Sequence, residues 1–170
     1  MGLSWFSSSG RAINPIGIES GSTQIMSVHQ VHVFISHSWA YSRHYETLAA
    51  WIFGQAWRFG QASIRFHNYS VPHWDPFVDL RADRLLRDAI FRQIRRCHVI
   101  VIPTGMYAHY SAWIGKELDG AALYGKPILA VDLWGARRTS SVVGRAAHRH
   151  VRWNARSVVG GIWELYYRGV

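Results

Sequence analysis

The distribution of apolar and polar positions along the 170-residue chain predicts β-strands that alternate with α-helices. Short runs rich in apolar and β-branched residues indicate buried strands, and longer segments with apolar residues at helical spacing indicate amphipathic helices. The predicted strands are 31–36, 62–70, 98–103, 127–134 and 150–153. The predicted helices are 43–58, 79–96, 112–124, 141–147 and 157–167. The segments 71–77 and 104–111 are predicted loops.

This alternation predicts an α/β fold whose strands pair in parallel through right-handed crossovers. We expect a flavodoxin-like three-layer sandwich with a five-stranded parallel sheet of order 2-1-3-4-5. Ligands of such sheets bind outside the carboxyl ends of the first and third strands, where the winding reverses. Here those ends carry the segments from Ser36 to Trp39 and from Pro103 to Tyr107. The sequence therefore predicts a binding crevice between these two segments.

The helix that follows the second segment carries Trp113 and Glu117. Residues four apart lie on one face of a helix, so an indole and a carboxylate can line the same wall. Burial against the indole would raise the affinity of the carboxyl group for its proton. Glutamate on a helix is usually solvated and tryptophan is usually core, so spacing alone leaves both interpretations open. Because the chain has only four glutamates, one at the predicted crevice is a candidate catalytic group.

The two loops near the crevice offer further polar side chains. Ser36, His37 and Ser38 follow the first strand, where hydroxyl and backbone N–H groups can hold ribose or phosphate. Alternatively, a serine there caps the following helix. Asn68 and Asp75 belong to a polar and aromatic stretch that either contacts a substrate or stabilises turns, and the second role is the commoner one.

Cysteine, histidine and hydropathy patterns exclude several classes of protein. The single cysteine, Cys97, permits no internal disulfide and is expected in the core. The ten histidines form no metal-ligand spacing on a helix, so we expect no metal. No apolar run approaches the roughly 18 residues of a membrane span, and no signal peptide is recognisable. We expect a cytoplasmic protein with a flexible leader over residues 1–27 and one domain over residues 28–170.

The formal net charge of +9 favours anionic partners, either nucleic acid or a dinucleotide. The arginines are spread over 81–96 and 137–156 rather than forming one block, and those of the helix 79–96 are typical of a solvated face. We therefore expect no nucleic-acid partner. A phosphoacceptor receiver would need an aspartate at the end of the third strand, and a Rossmann domain would need a glycine fingerprint after the first. Neither pattern is present.

Several stretches in this order resemble one family: FISHSWAYS, FHNYSVPHWDP, LRDAIFRQIR and VIVIPTGMYAHYSAWIGKELDGAALYGKPILAV. Together they resemble the TIR-like domains of the bacterial Thoeris anti-phage defence system, from about Val31 to about Val159. Trp113 and Glu117 match the Trp-x-x-x-Glu helix motif that carries the catalytic glutamate of TIR enzymes. Residues 66–80 match the BB loop, which gates the site and mediates assembly in that family.

The resemblance implies an enzyme that cleaves the nicotinamide–ribose bond of NAD+, with Glu117 as its catalytic residue. NAD+ would be a substrate, and no cofactor is implied. The ADP-ribose part would be cyclised or conjugated into a nucleotide signal that activates a partner effector, in response to a phage-derived trigger. The implied NAD-binding residues are Ser36, His37, Ser38, Trp39, Asn68, Asp75, Tyr107 and Trp113. The alternative is a non-catalytic TIR scaffold that acts by self-assembly through the BB loop.

Overall fold

The computed structural model describes residues 27–36, 42–71, 82–104, 107–133 and 141–169. The predicted leader lies outside these residues except for Ser27, which precedes the first strand. The strands are β1 (Val28–Ile35), β2 (Trp57–Phe59), β3 (Ala62–Asn68), β4 (Val99–Pro103), β5 (Ile128–Asp132) and β6 (Arg149–Arg152). The helices are α1 (Ser42–Phe53), α2 (Ala82–Arg96), α3 (Tyr107–Leu123), α4 (Ser141–Ala146) and α5 (Ala155–Arg168).

The described strands form one six-stranded sheet of order β2-β3-β1-β4-β5-β6. The α/β class is confirmed, but the sheet has six strands instead of the predicted five, because β2 adds an antiparallel edge strand beside β3. The other strands pair in parallel, in the order β3-β1-β4-β5-β6. The carboxyl ends of β1 and β4 therefore lie side by side at one edge of the sheet.

Strand β2 was missed because the helix predicted over 43–58 ends earlier, at Phe53. Trp57, which lies within that segment, and Phe59, which follows it, pair with β3 instead. Gly60, with a φ of 59°, supplies the left-handed conformation of the connecting turn. The indole N–H of Trp57 donates a hydrogen bond to the carbonyl of Trp51 (3.0 Å), which fixes β2 against the end of α1.

Helix α3 is longer than predicted. It begins at Tyr107, so most of the predicted loop 104–111 is helical. The five residues Tyr-Ala-His-Tyr-Ser before Ala112 contain no glycine or proline, so nothing in their backbone chemistry stops a helix there. The predicted end is confirmed: Gly125 has a φ of 58°, and the N–H of Lys126 donates to the carbonyl of Ala121 (2.8 Å).

The sheet is covered on both faces, which makes three layers. Alternate residues of β1 enter different clusters: Val33 and Ile35 pack in the cluster that includes α1 and α5, and Phe34 packs in the one that includes α2, α3 and α4. Strand β4 is buried at every position, as a central parallel strand should be. Within the described residues, no helix is long and apolar enough to cross a membrane.

Candidate functional site

Polar groups follow three neighbouring strands at the carboxyl edge of the sheet. Ser36 follows β1, Thr104 follows β4, and Asp132 ends β5. The N–H of Ser36 donates to the carbonyl of Val101 (2.8 Å), and the hydroxyl of Thr104 donates to Oδ1 of Asp132 (3.1 Å). Ser36 and Thr104 are each only 1% exposed. Two buried hydroxyl groups and a carboxylate therefore mark the edge where the sequence predicts the crevice.

Among the described residues, none gives the side chain of Ser36 a structural role. Its Oγ atom is buried and has no hydrogen-bond partner within the described part of the chain. It does not cap the next helix, because α1 begins only at Ser42. A buried hydroxyl without a partner costs free energy, so such groups call for another explanation. A ligand at this edge would supply one.

Glu117 lies on the core-facing side of α3 and is only 1% exposed. Ile114, Gly120 and Ala121, which share this face at helical spacing, are buried as well, whereas Asp119 is exposed. The interpretation of Glu117 as a solvated surface charge is therefore wrong. Glutamate is almost never fully buried unless it is paired, and buried ionisable groups concentrate at functional sites.

The packing of α3 fixes where this carboxylate lies. Ile114, three residues before Glu117, belongs to the same buried cluster as Phe34 of β1 and Ile102 of β4. Gly120, three residues after it, lies so close to α2 that a Cβ atom there would be 3.1 Å from Cδ1 of Ile94. The carboxylate thus sits between the contact of α3 with the sheet and its contact with α2.

The structure describes the backbone positions of some predicted site residues and leaves other residues undescribed. The backbones of Tyr107 and Trp113 belong to α3, so Trp113 precedes Glu117 by four helical residues, as predicted. Tyr107 was expected in a loop and instead begins the helix. The remaining predicted residues outside the described ranges are His37, Ser38, Trp39 and Asp75.

The side chain of Asn68 is engaged at both polar ends. Its Oδ1 accepts from the N–H of Ser70 (2.9 Å), and its Nδ2 donates to the hydroxyl of Tyr45 (2.8 Å). The hydroxyl of Ser70 in turn accepts from the N–H of Ile35 (2.9 Å). This is the arrangement of a turn-stabilising residue, the commoner of the two roles considered for Asn68.

Sequence reasoning missed Thr104 and Asp132. Asp132 also lies 3.7 Å from Nδ1 of His150, so it faces two polar neighbours. The signal was present, because each residue directly follows or ends an apolar run, and the carboxyl ends of such runs lie at the binding edge of a parallel sheet. What the sequence could not give is their contact, since 28 residues separate Thr104 from Asp132.

Cys97 is a core thiol, as predicted. It is fully buried, and its Sγ donates to the carbonyl of Ile94 (3.2 Å). Burial raises the pKa of this thiol to about 12, and the charge of Lys126 offsets only part of that effect. Cys97 is therefore no nucleophile at neutral pH. Among the described residues, no three His, Cys, Asp or Glu side chains are placed to hold a metal ion.

Comparison with protein families identifies the family to which the central part of the chain is similar. Residues 34–138 match the family described as "Thoeris protein ThsB, TIR-like domain". The match covers more than half of the chain and includes the last two residues of β1, the whole of β4 and α3, and Glu117. It ends before α4, β6 and α5. A comparison with curated proteins found no match.

Proposed function

The chain belongs to the family of TIR-like domains of the Thoeris protein ThsB, whose role is anti-phage defence, and from this premise we propose that it is an enzyme acting on NAD+. The bond cleaved joins nicotinamide to ribose, and Glu117 is the catalytic residue. The ADP-ribose part becomes a cyclic or conjugated nucleotide that activates a partner effector. The observation that carries the proposal is the burial of Glu117 on α3, the helix that follows β4 and carries the matched Trp-x-x-x-Glu motif.

The reaction suits a single carboxylate. When the bond between ribose C1′ and the nicotinamide nitrogen breaks, its electron pair neutralises the cationic ring, so no acid is needed to protonate the leaving group. The ribose becomes an oxocarbenium-like cation, which a fixed anion at short range stabilises. Water or another hydroxyl then attacks C1′ and releases a proton. In a buried setting the attraction between the carboxylate and this cation is stronger than in water.

The edge of the sheet supplies plausible contacts for the rest of the substrate. The Ser36 hydroxyl, buried and without a partner within the described ranges, suits a ribose hydroxyl or a phosphate oxygen. The Asp132 carboxylate, already an acceptor for Thr104, suits a second ribose hydroxyl. Trp113 would stack on a ring of NAD+, and His37, Ser38, Trp39, Asp75 and Tyr107 complete the proposed set.

The direct test is nicotinamide release from NAD+ by the purified full-length protein, followed by chromatography with mass detection. Glu117→Gln removes the charge and keeps the size of the side chain, so we expect release to fall by at least about a hundredfold, as for other electrostatic stabilisers. The matched control is Glu46→Gln, which changes an exposed glutamate of α1 and should leave release unchanged.

The competing function is a TIR scaffold that works by self-assembly through residues 66–80. It predicts that Glu117→Gln keeps its protective effect against phage, while substitutions within that segment abolish protection. Equal nicotinamide release by wild type and Glu117→Gln would contradict the proposed catalytic role. Loss of release in both glutamate variants would point to a general charge effect instead.

A further inference from the structure

A basic pocket of about 440 Å³ lies between β6 and α5. Strand β6 is the last strand of the sheet, with β5 between it and β4. Helix α5 packs on the sheet face opposite to α3, because Val158 and Ile162 of α5 belong to one buried cluster and Ile114 of α3 belongs to the other. The pocket therefore lies on the sheet face opposite to α3 and Glu117, and its lining residues lie outside those matched to the family. Its nearest link to the first site is His150, which lines the pocket and lies 3.7 Å from Asp132.

The pocket carries an excess of positive charge. Its lining includes Arg149, Arg152 and Arg156 against one carboxylate, that of Glu164. Arg149 forms an ion pair with Glu164. Within the described ranges, Arg152 and Arg156 are exposed at the pocket and form no ion pair. Two guanidinium groups thus face the pocket with their donors available to an anion.

Glycine at position 160 opens the pocket. Gly161 has a packing reason, because a Cβ atom there would lie 2.8 Å from Cδ1 of Leu129 and 3.1 Å from Cγ1 of Val151. Gly160 has none, since a Cβ atom there would meet no atom within 4 Å. Glycine is among the poorest residues for a helix interior, so its presence at 160 needs another reason. The bare backbone allows a ligand to approach α5 closely.

We propose that this pocket binds the diphosphate group of a nucleotide. A planar guanidinium matches two phosphate oxygens at once, and two such groups match a diphosphate. The volume lies within the range of roughly 300–1,000 Å³ that is usual for small-molecule sites. Arginines grouped around one pocket suit a small phosphorylated ligand better than a strand of nucleic acid, which requires a row of cations. The proposal does not depend on the reaction assigned to Glu117.

Isothermal titration calorimetry on the full chain tests the proposal with three probes: inorganic pyrophosphate, ADP and adenosine. We expect pyrophosphate and ADP to bind at one site per chain and adenosine not to bind. The double variant Arg152→Ala/Arg156→Ala should weaken binding of both phosphorylated probes by at least about tenfold. The matched control, Arg84→Ala/Arg92→Ala, removes two exposed arginines of α2 and should bind like wild type.

Two single substitutions separate binding from folding. Gly160→Ala places a methyl group in the pocket and improves the helix, so we expect a higher Tm together with weaker binding of pyrophosphate. Glu164→Gln releases Arg149 and removes the one carboxylate that the described residues contribute to the pocket, so we expect pyrophosphate to bind several-fold more tightly. If the pocket bound no diphosphate, neither substitution would change the affinity for pyrophosphate in these directions.

Three results would overturn the proposal. The first is no binding of pyrophosphate or ADP to wild type. The second is an equal loss of affinity in the two double-arginine variants, which would reveal only a general charge effect. The third is binding of a 20-base-pair DNA duplex that the Arg152/Arg156 variant loses while pyrophosphate does not bind, because the surface would then be a nucleic-acid contact.

Discussion

At the scale of single residues, Glu117 is almost completely buried, with 1% of its surface exposed to solvent. The effective penalty for moving a charge out of water is several kcal/mol, and a well-packed apolar side chain would avoid it. The catalytic role proposed for Glu117 gives a reason for a carboxylate at such a position.

We predict that Glu117→Met abolishes nicotinamide release while the protein still unfolds cooperatively in urea. Methionine approximates the volume of glutamate and packs in apolar surroundings, so it removes the charge without leaving a cavity. Urea unfolding followed by tryptophan fluorescence shows whether the variant is folded. Retained nicotinamide release in the folded variant would contradict the catalytic role.

Cys97 should be inert in the native protein. Because burial raises its thiol pKa to about 12, the thiolate is scarce at pH 8 and the sulfur is out of reach of reagents. We expect a disulfide reagent such as DTNB to label less than a tenth of the protein in an hour under native conditions and all of it in 6 M guanidinium chloride. Rapid native labelling would show that the α2–β4 junction opens readily.

His98 should make the protein less stable in acid. Burial lowers its pKa below the ordinary 6.5, and the nearby charges of His32 and Lys126 act in the same direction. Above pH 6.5 the side chain is neutral in both states and has no effect. As the pH falls through 6.5, the unfolded chain binds a proton before the folded chain does, so the free energy of unfolding decreases until the folded pKa is passed.

The corresponding experiment compares wild type with His98→Asn between pH 7.5 and pH 5. Nδ1 of His98 accepts the N–H of His32 (3.0 Å), and the amide oxygen of asparagine can take over that role. We predict that the variant loses less stability than wild type over this range. An identical pH dependence in the two proteins would exclude His98 as a contributor.

At the scale of elements, helix α5 contains two adjacent glycines with different surroundings. Alanine at 160 meets open space and gains helix propensity, worth up to about 1 kcal/mol. Alanine at 161 gains the same propensity but forces its Cβ against Leu129, 2.8 Å away. We predict that Gly161→Ala is at least about 1 kcal/mol less stable than Gly160→Ala in urea unfolding. Equal stabilities would show that β5 and α5 separate easily.

The strands and helices with strong hydrophobic patterns were predictable because the burial of apolar side chains dominates the formation of each of them. Strand β4 is apolar at every position and ends at a proline, and α2 has an apolar stripe opposite its arginines. The missed strand β2 is only three residues long, and its first residue, Trp57, lies within the segment whose apolar spacing fits a helix. Its pairing with β3 decides the outcome, and pairing between segments does not appear in a local pattern.

The candidate site was predictable in position but not in detail. The order of the central strands located the edge, and the spacing of Trp113 and Glu117 selected α3. The burial of Glu117 could not be predicted, since it depends on how α3 packs against α2 and the sheet. For the same reason the contact between Thr104 and Asp132 emerged only from the assembled sheet.

At the scale of the whole molecule, the excess of positive charge opposes compaction. The chain has 19 lysines and arginines against 10 aspartates and glutamates, and salt screens their mutual repulsion. We predict that the Tm at pH 7.5 rises between 20 and 200 mM NaCl. The rise should be smaller in Arg84→Glu/Arg92→Glu, which lowers the excess charge at two exposed positions. A Tm that falls with salt would mean that attractive ion pairs dominate.

The molecule divides its chemistry between two faces of one sheet. On the α2–α3 face, the buried carboxylate of Glu117 belongs to α3, within the region that matches the Thoeris family. On the α1–α5 face, an arginine-lined pocket lies at the edge strand, outside that region. The two proposals can be tested separately. Glu117→Gln tests the cleavage of NAD+ at the first site, and Arg152→Ala/Arg156→Ala tests the binding of a diphosphate at the second.

The most direct test of the central claim is the NAD+ content of phage-infected cells that produce either wild type or Glu117→Gln, measured by chromatography with mass detection. We predict that wild type loses NAD+ and accumulates nicotinamide and an ADP-ribose-derived nucleotide after infection, while the variant, present in equal amount, does neither. If infected cells that produce the wild-type protein keep their NAD+ and still resist the phage, the proposal that the protein is an NAD+-cleaving enzyme is contradicted.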